Sequence, residues 1–421
     1  MSTASVIRPL APSEQMFAFG EVFVGYSVRV SGRLDLGALS TAFDAVVRAY
    51  PILGARLEAA GTGGHVLVAS SGAAPEISVV DGDPEQLLTG AKFDQSVAVG
   101  ALCVVRDGDS ASVTLVIHHS VADAYHSLAI LGDLWSFYRA ATEGIPLRVE
   151  VHPYPEPVEA LLAARGVEKF PNPAAAAPAP QLGVASTPSV APAPDNIDPG
   201  YPMPQTTRCR LGKDATAQLV DLGHREQVTM HGLVSAAILL MEAEIRALPL
   251  TELMYLYSVD LRTRVSPPIG LTDGTDVLGF TTYMPSAEAG TTLIRLARGV
   301  CDTLQAAVAS GFVQQTPLQI PDMAAAGPPK IPGMVMATNW GRVPRLPSQQ
   351  DLRIDDFRSI FIAKPDRTGR RPAANTCIIS TFDDRLSIEI HHSPQTAAQE
   401  QRRIDLLATT LHTAVEIRSP Q

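Results

Sequence analysis

Residues 171–205 set the terms for the rest of the chain. The stretch opens Pro-Asn-Pro-Ala-Ala-Ala-Ala-Pro-Ala-Pro and continues through Ala-Pro-Ala-Pro-Asp195 to Pro-Met-Pro204, with almost no charge. Proline removes backbone donors, and alanine offers little apolar surface. Such a segment spans distance and does not build a core, so it reads as an extended, semi-rigid linker. It divides 421 residues, too many for one ordinary core, into 1–170 and 206–421.

Both sides of the linker mix helical and strand periodicity. Residues 26–31 alternate as a strand, and 36–47 place apolar residues at helical spacing. Residues 101–105 and 112–117 read as a hairpin turned at Asp107-Gly108-Asp109, followed by a helix over 123–140. The second half begins with a strand at 207–211. It continues with helices at 213–223 and 229–243, strands at 254–262 and 276–284, and a helix over 291–311. Strands at 353–362, 376–382 and 386–392 precede a closing helix at 397–416. Interleaved helices and strands in both halves indicate an α/β, or mixed α+β, architecture with two similar units.

Composition narrows the function classes. Hydrophobic residues at 46% and charged residues at 18% describe a globular chain. A formal charge of −10 disfavours nucleic acid as a partner. No apolar run reaches the length of a membrane span, and the first ten residues lack the layout of a secretory signal. The four cysteines are scattered without a CxxC pair, which argues against a zinc ribbon or a disulfide framework. A cytoplasmic monomer without a metal is expected. P-loop, GxGxxG and GxSxG signatures are absent, so nucleotide hydrolysis, dehydrogenation and serine-esterase chemistry lack a motif.

The chemistry-bearing stretch is Val113-Thr-Leu-Val-Ile-His118-His119-Ser120-Val-Ala-Asp123-Ala124. An apolar strand ends in two histidines, and an aspartate follows at a helix start. Adjacent strand residues point to opposite faces, so the histidines have different roles. Imidazole titrates near neutrality and serves as a general base. A second pair, His391-His392, has Thr396 at the aspartate's offset and Pro394 between, and reads as structural.

His118-His119-Ser-Val-Ala-Asp123 resembles the HHxxxD motif of the thioester-dependent acyltransferase superfamily. That superfamily holds chloramphenicol acetyltransferase, BAHD acyltransferases and the condensation domains of peptide synthetases. The resemblance runs along the whole chain and is nearest to the polyketide-associated acyltransferases of the phthiocerol/phthiodiolone dimycocerosyl transferase type. It implies two chloramphenicol-acetyltransferase-like domains, 1–170 and 206–421, with a tunnel and active site at their interface. It also implies His119 as general base, Asp123 as an orienting residue and His118 as a packing and orienting residue. Arg262 would brace the interface by pairing with Asp123 or a nearby carboxylate; the alternative is a local surface pair between Asp260 and Arg264. Asn339, Trp340 and Ser120 are candidates for contacting substrate or a developing oxyanion; Asn339-Trp340-Gly341 stands where relatives carry a DFGxG-like segment. Ala124 replaces the family's usual glycine. The expected reaction is O-acylation without an acyl-enzyme. The donor is acyl-CoA or a phosphopantetheine-linked acyl carrier protein, with no bound cofactor. The acceptor is a small-molecule polyketide alcohol, either a lipid diol or a macrocycle. A carrier-binding module without activity and an amide-forming condensation enzyme are the alternatives. The basic stretch Lys364–Arg371 reads as a solvated hairpin turn, with contact to CoA phosphates or a carrier protein as the second reading.

Overall fold

A computed structural model describes residues 5–61, 63–69, 75, 77–170, 205–287, 292–322, 333–349, 351–364, 376–392 and 396–416. The linker expected at 171–205 lies outside these residues except for Gln205, as does the basic stretch after Lys364.

Short strand β1 (Val6–Pro9) leads into helix α1 (Pro12–Phe19), then the long strand β2 (Phe23–Gly32) and helix α2 (Leu36–Ala49). Strands β3 (Arg56–Ala59) and β4 (His65–Val68) join β1 in a small three-stranded sheet. Strands β5 (Ile77–Asp81), β6 (Gly100–Asp107) and β7 (Ser110–His118) follow, then helices α3 (Ala124–Thr142) and α4 (Val158–Ala163). The β6–β7 hairpin closes at Asp107 opposite Ser110, with Gly108 at φ +53° taking the left-handed conformation the turn requires.

The second half contributes β8 (Gln205–Arg210), α5 (Lys213–Glu226), α6 (Met230–Arg246), β9 (Met254–Asp260), β10 (Leu278–Tyr283), α7 (Leu293–Ala309) and α8 (Phe312–Gln315). It ends with β11 (Met334–Arg342), β12 (Leu352–Ile362), β13 (Cys377–Phe382), β14 (Arg385–His392) and α9 (Ala397–Glu416). Six of its strands form one sheet in the order β10–β9–β11–β13–β14–β8. The mixed α/β reading holds, and most expected elements lie within a few residues of their sequence-derived bounds.

Two large cores follow from apolar periodicity. Leu39, Phe43 and Val46 of α2 meet Leu131, Leu134 and Trp135 of α3 over the inner face of the first sheet. Leu233, Val234 and Ile238 of α6 and Leu407 and Leu411 of α9 cover the second sheet. Among the described residues no single helix is long and apolar enough to cross a membrane. Helices α5 and α6 pass that test only together, across a 103° bend.

Strand β12 departs from the expected division. By sequence it belongs to 206–421, yet it forms the edge of the first sheet, in the order β12–β2–β7–β6–β5. It pairs antiparallel with β2 from Leu352 opposite Gly32 to Ile362 opposite Phe23, with one irregularity between Ile354 and Asp356. Without it the backbone groups of the ten-residue β2 would stand open along one side. The approach is close: a Cβ added at Gly25 would come within 3.1 Å of the Thr114 side chain and 3.3 Å of Ile360. The second half therefore completes the first. Protease cleavage engineered within residues 171–204 should leave 5–170 and 205–416 co-eluting on size exclusion. Separation of the two fragments without denaturant would contradict this arrangement.

Candidate active site

The end of β7 delivers the two histidines to different surroundings, as strand alternation requires. His118 is fully buried, packed edge-on to Phe23 with ring centroids 4.8 Å apart. Its Nδ1 accepts the Ser120 N–H at 3.2 Å, so the neutral ring carries its proton on Nε2. Burial pushes its pKa down to about 3, with the neighbouring His119 and His65 adding to the effect. His118 therefore stays uncharged and holds the turn in shape.

His119 is half-buried and lies flat against Phe17 of α1, with centroids 4.0 Å apart and planes 4° from parallel. Its main-chain N–H donates to Val22 O at 2.8 Å. Burial lowers its pKa, while hydrogen bonding with its own main-chain carbonyl and the charge of Asp123 pull the other way. Its buried Nδ1 has no partner from another described residue. The resulting imidazole is neutral at physiological pH and is fixed in plane by the Phe17 stack.

Asp123 caps α3 and is fully buried. Oδ1 accepts from the His126 N–H at 3.0 Å and from Arg262 Nη2 at 3.0 Å; Oδ2 accepts from Arg262 Nη1 at 2.8 Å and from the Val277 N–H at 2.9 Å. Every acceptor position of the carboxylate is thus used. Arg262 sits just beyond β9, 2% exposed, and reaches across to the first half. Its Nη1 also donates to Asp260 at 3.0 Å and its Nη2 to Leu271 O at 3.1 Å, while the guanidinium lies 5.6 Å from the Tyr125 ring. Desolvation alone would lower the guanidinium pKa, but Asp123 and Asp260 outweigh it and the net shift is upward. Arg262 therefore pairs with Asp123, held bidentately, and also with Asp260, while Arg264 donates only to the Asp260 main-chain oxygen, at 3.1 Å.

The segment after Arg262 fastens the seam. His126 Nδ1 donates to Gly274 O at 3.1 Å, and Thr275 Oγ donates to Glu14 Oε1 at 2.8 Å. His126 is therefore a buried contact between the halves. Glu14 is itself fully buried and is held by Arg8 at 2.6 and 2.7 Å. It anchors α1 and hence Phe17 against His119.

His119 opens onto a cavity of about 260 Å³ shared by both halves. Its walls include Phe17, Tyr26 and Ala124 from the first half and Leu278, Met336 and Trp340 from the second. Tyr26 and Trp340 pack with centroids 5.0 Å apart. Ala124, at the position usual for glycine in the family, adds its methyl to this wall. A larger and more polar hollow of about 640 Å³, bordered by Gln205, Arg358 and His392, does not include His119.

The other expected residues divide. Trp340 walls the cavity. Asn339 does not: its Oδ1 accepts the Gly341 N–H at 2.9 Å and its Nδ2 approaches His231 at 3.5 Å, so an oxyanion role finds no support in its position. Ser120 is also turned away, donating to Glu14 O at 2.7 Å. Cys103 is buried, with its thiol pushed up to about 12 by desolvation, and so offers no nucleophile. His391, read as structural, is buried with Nδ1 3.0 Å from Thr206 Oγ1 and Nε2 3.3 Å from Ser359 Oγ, yet one edge reaches the cavity wall. Sequence reasoning missed Phe17, Glu14 and Asp276. Of these only Glu14 left a local trace, as an acid in the first turn of a helix.

Comparison with known proteins decides the family. The family model described as phthiocerol/phthiodiolone dimycocerosyl transferase C-terminus matches residues 200–391. A phthiocerol/phthiodiolone dimycocerosyl transferase of Mycobacterium sp. (strain JLS) is 36% identical over 368 residues, covering 85% of this chain and 87% of that protein. The chain belongs to the phthiocerol/phthiodiolone dimycocerosyl transferase family. It is an acyltransferase. Polyketide synthase associated protein 5 from Mycobacterium tuberculosis superposes over 98% of this chain and all of that one, with a TM-score of 0.80 and 30% identity. The first condensation domain of the calcium-dependent antibiotic synthetase covers 97% of both chains at a TM-score of 0.65 and 15% identity, a likeness of fold alone. Buried charge holds the seam between the halves, and several histidines in the fold are buried in neutral form. His118, His126 and His391 have pKa values lowered to about 3, 4 and 3, below the ordinary 6.5. A histidine buried neutral contributes stability above the unfolded value and loses it as pH falls towards the folded one. Asp276 and Glu400, whose carboxyls are raised, act in the opposite sense, but the lowered histidines outnumber them. Urea midpoints should therefore fall steadily from pH 6.5 to 4. A midpoint that is flat or rising over that window would contradict the burial of these histidines in neutral form.

Proposed function

We propose that the chain moves an acyl group from a thioester to the hydroxyl of a polyketide-derived lipid alcohol, with His119 as general base. The observation that carries this is the position of His119. A neutral imidazole, stacked on Phe17 and held beside the Asp123 clamp, opens onto an apolar cavity between the halves. The names of the relatives, phthiocerol/phthiodiolone dimycocerosyl transferases, support a lipid alcohol as acceptor, and a diol is the reading adopted here.

Nδ1 of His119 is buried without a hydrogen-bond partner, and Nε2 is the nitrogen assigned to proton transfer. Nε2 takes the hydroxyl proton as the alcohol oxygen attacks the thioester carbonyl. The tetrahedral adduct then collapses, the C–S bond breaks, and the thiolate recovers the proton from the imidazolium. Ester and free thiol leave, and the enzyme is unchanged. No resident cofactor enters the balance; the donor, CoA or a carrier protein, brings the activated acyl group. The dry, apolar wall suits an acyl chain and limits hydrolysis of the thioester.

Thiol release from short and long acyl-CoA, measured with and without long-chain diols, tests the reading. The wild type should show alcohol-stimulated release, and His119→Ala should lose about a hundredfold or more while unfolding at the wild-type temperature. In the wild type, kcat/KM should stay level through neutrality and decline only below the ordinary histidine range, because burial lowers the base. Retained activity in His119→Ala, or an acid limb centred above pH 6.5, would rule out the assigned base.

A further inference from the structure

Asp276 stands one residue before Val277, whose N–H clamps Asp123, and it walls the same cavity as His119. It is 4% exposed, and its Oδ1 has no hydrogen-bond partner among the described residues. An unpaired buried carboxyl is costly and is normally replaced by something apolar unless it has a task. The other polar groups of the wall are largely accounted for. The Ser258 and Thr338 hydroxyls bond each other at 2.9 Å, and both nitrogens of His391 are engaged. That leaves Asp276 and the Tyr257 and Thr376 hydroxyls, and a carboxyl is the costliest of the three to leave bare.

We propose that Asp276 is a specificity-determining residue that hydrogen-bonds a second oxygen of the acceptor, so that a diol or hydroxyketone is preferred to a simple alcohol. The inference rests on the acyl-transfer reading above and adds the group that selects the acceptor. Three features support it. Desolvation, reinforced by Asp123, Glu14 and Glu159 and opposed by Arg262, raises the carboxyl pKa well above its ordinary value. The protonated acid therefore offers both a donor and an acceptor, the complement of a hydroxyl or carbonyl. Asp276 and His119 line the same cavity, so an acceptor whose hydroxyl lies at His119 shares that space with Asp276. The surrounding wall is apolar, so an acceptor with one oxygen would leave the acid unpaired, and such a mismatch is penalised heavily.

The test compares a long-chain 1,3-diol with the mono-alcohol of equal length, using thiol release from one acyl-CoA. Wild type, Asp276→Leu and Asp276→Asn are compared, and binding of both alcohols is followed by tryptophan fluorescence, since Trp340 walls the cavity. The wild type should prefer the diol by about tenfold or more in kcat/KM. Asp276→Leu should bring that ratio near one through loss with the diol, and Asp276→Asn should restore part of it. Thermal midpoints of both variants should equal or exceed the wild type, because an unpaired buried acid has been removed. An unchanged ratio, equal losses with both alcohols, or a lowered midpoint would overturn the role assigned to Asp276. A wild type that releases thiol with neither alcohol would instead count against the acyl-transfer reading itself.

Discussion

The ion pair between Asp123 and Arg262 is the contact on which the site depends. Two charges in a buried seam are stable together only because every acceptor position of the carboxylate is filled and the guanidinium has three further contacts. Asp123 belongs to the first half and Arg262 to the second, so pulling the halves apart would strand both charges. The same carboxylate starts α3, fixing the loop that runs back to His119, and holds Val277, fixing the segment that carries Asp276. One buried interaction thereby ties together the His119 loop, the wall beside it and the relation between the halves.

Around that charged knot the site is kept dry and neutral. His118 and His119 are neighbours in sequence but serve different needs. One is locked by the Ser120 N–H and kept neutral by burial, and the other faces the cavity with its ring plane set by Phe17. A neutral imidazole beside a largely apolar wall suits the proposed reaction, in which a proton is borrowed and returned within one turnover. Asp276 is a buried carboxyl on that wall with an unpartnered oxygen, and the proposed contact to the acceptor accounts for it.

How much of this was legible in the sequence follows from the range of the signals. The β6–β7 hairpin, the His-His strand end and the Asp123 cap are local patterns, and each was readable from spacing alone. The partner of β12 was not, because its composition suits either sheet and the pairing with β2 is decided by tertiary contact. Arg262 was half legible, since a charged strand end announces a partner without naming it. Asn339 misled because its motif position resembles a donor, while the turn at Gly341 claims its side chain. Phe17 and Asp276 carry no local mark; their meaning arises only where α1 and the 271–277 segment converge on one cavity.

The most direct measurement is a double-mutant cycle between Asp123→Ala and Arg262→Ala, read as kcat/KM for acyl transfer and as unfolding free energy. If the pair is the clamp that aims His119, each single change should cost about 3–5 kcal/mol of stability and most of the activity. The second change should then add little in either readout, so that the coupling approaches the cost of one single change, about 3 kcal/mol. Losses that simply add would show that the two residues act separately, and the pair would not be the interaction on which the site depends.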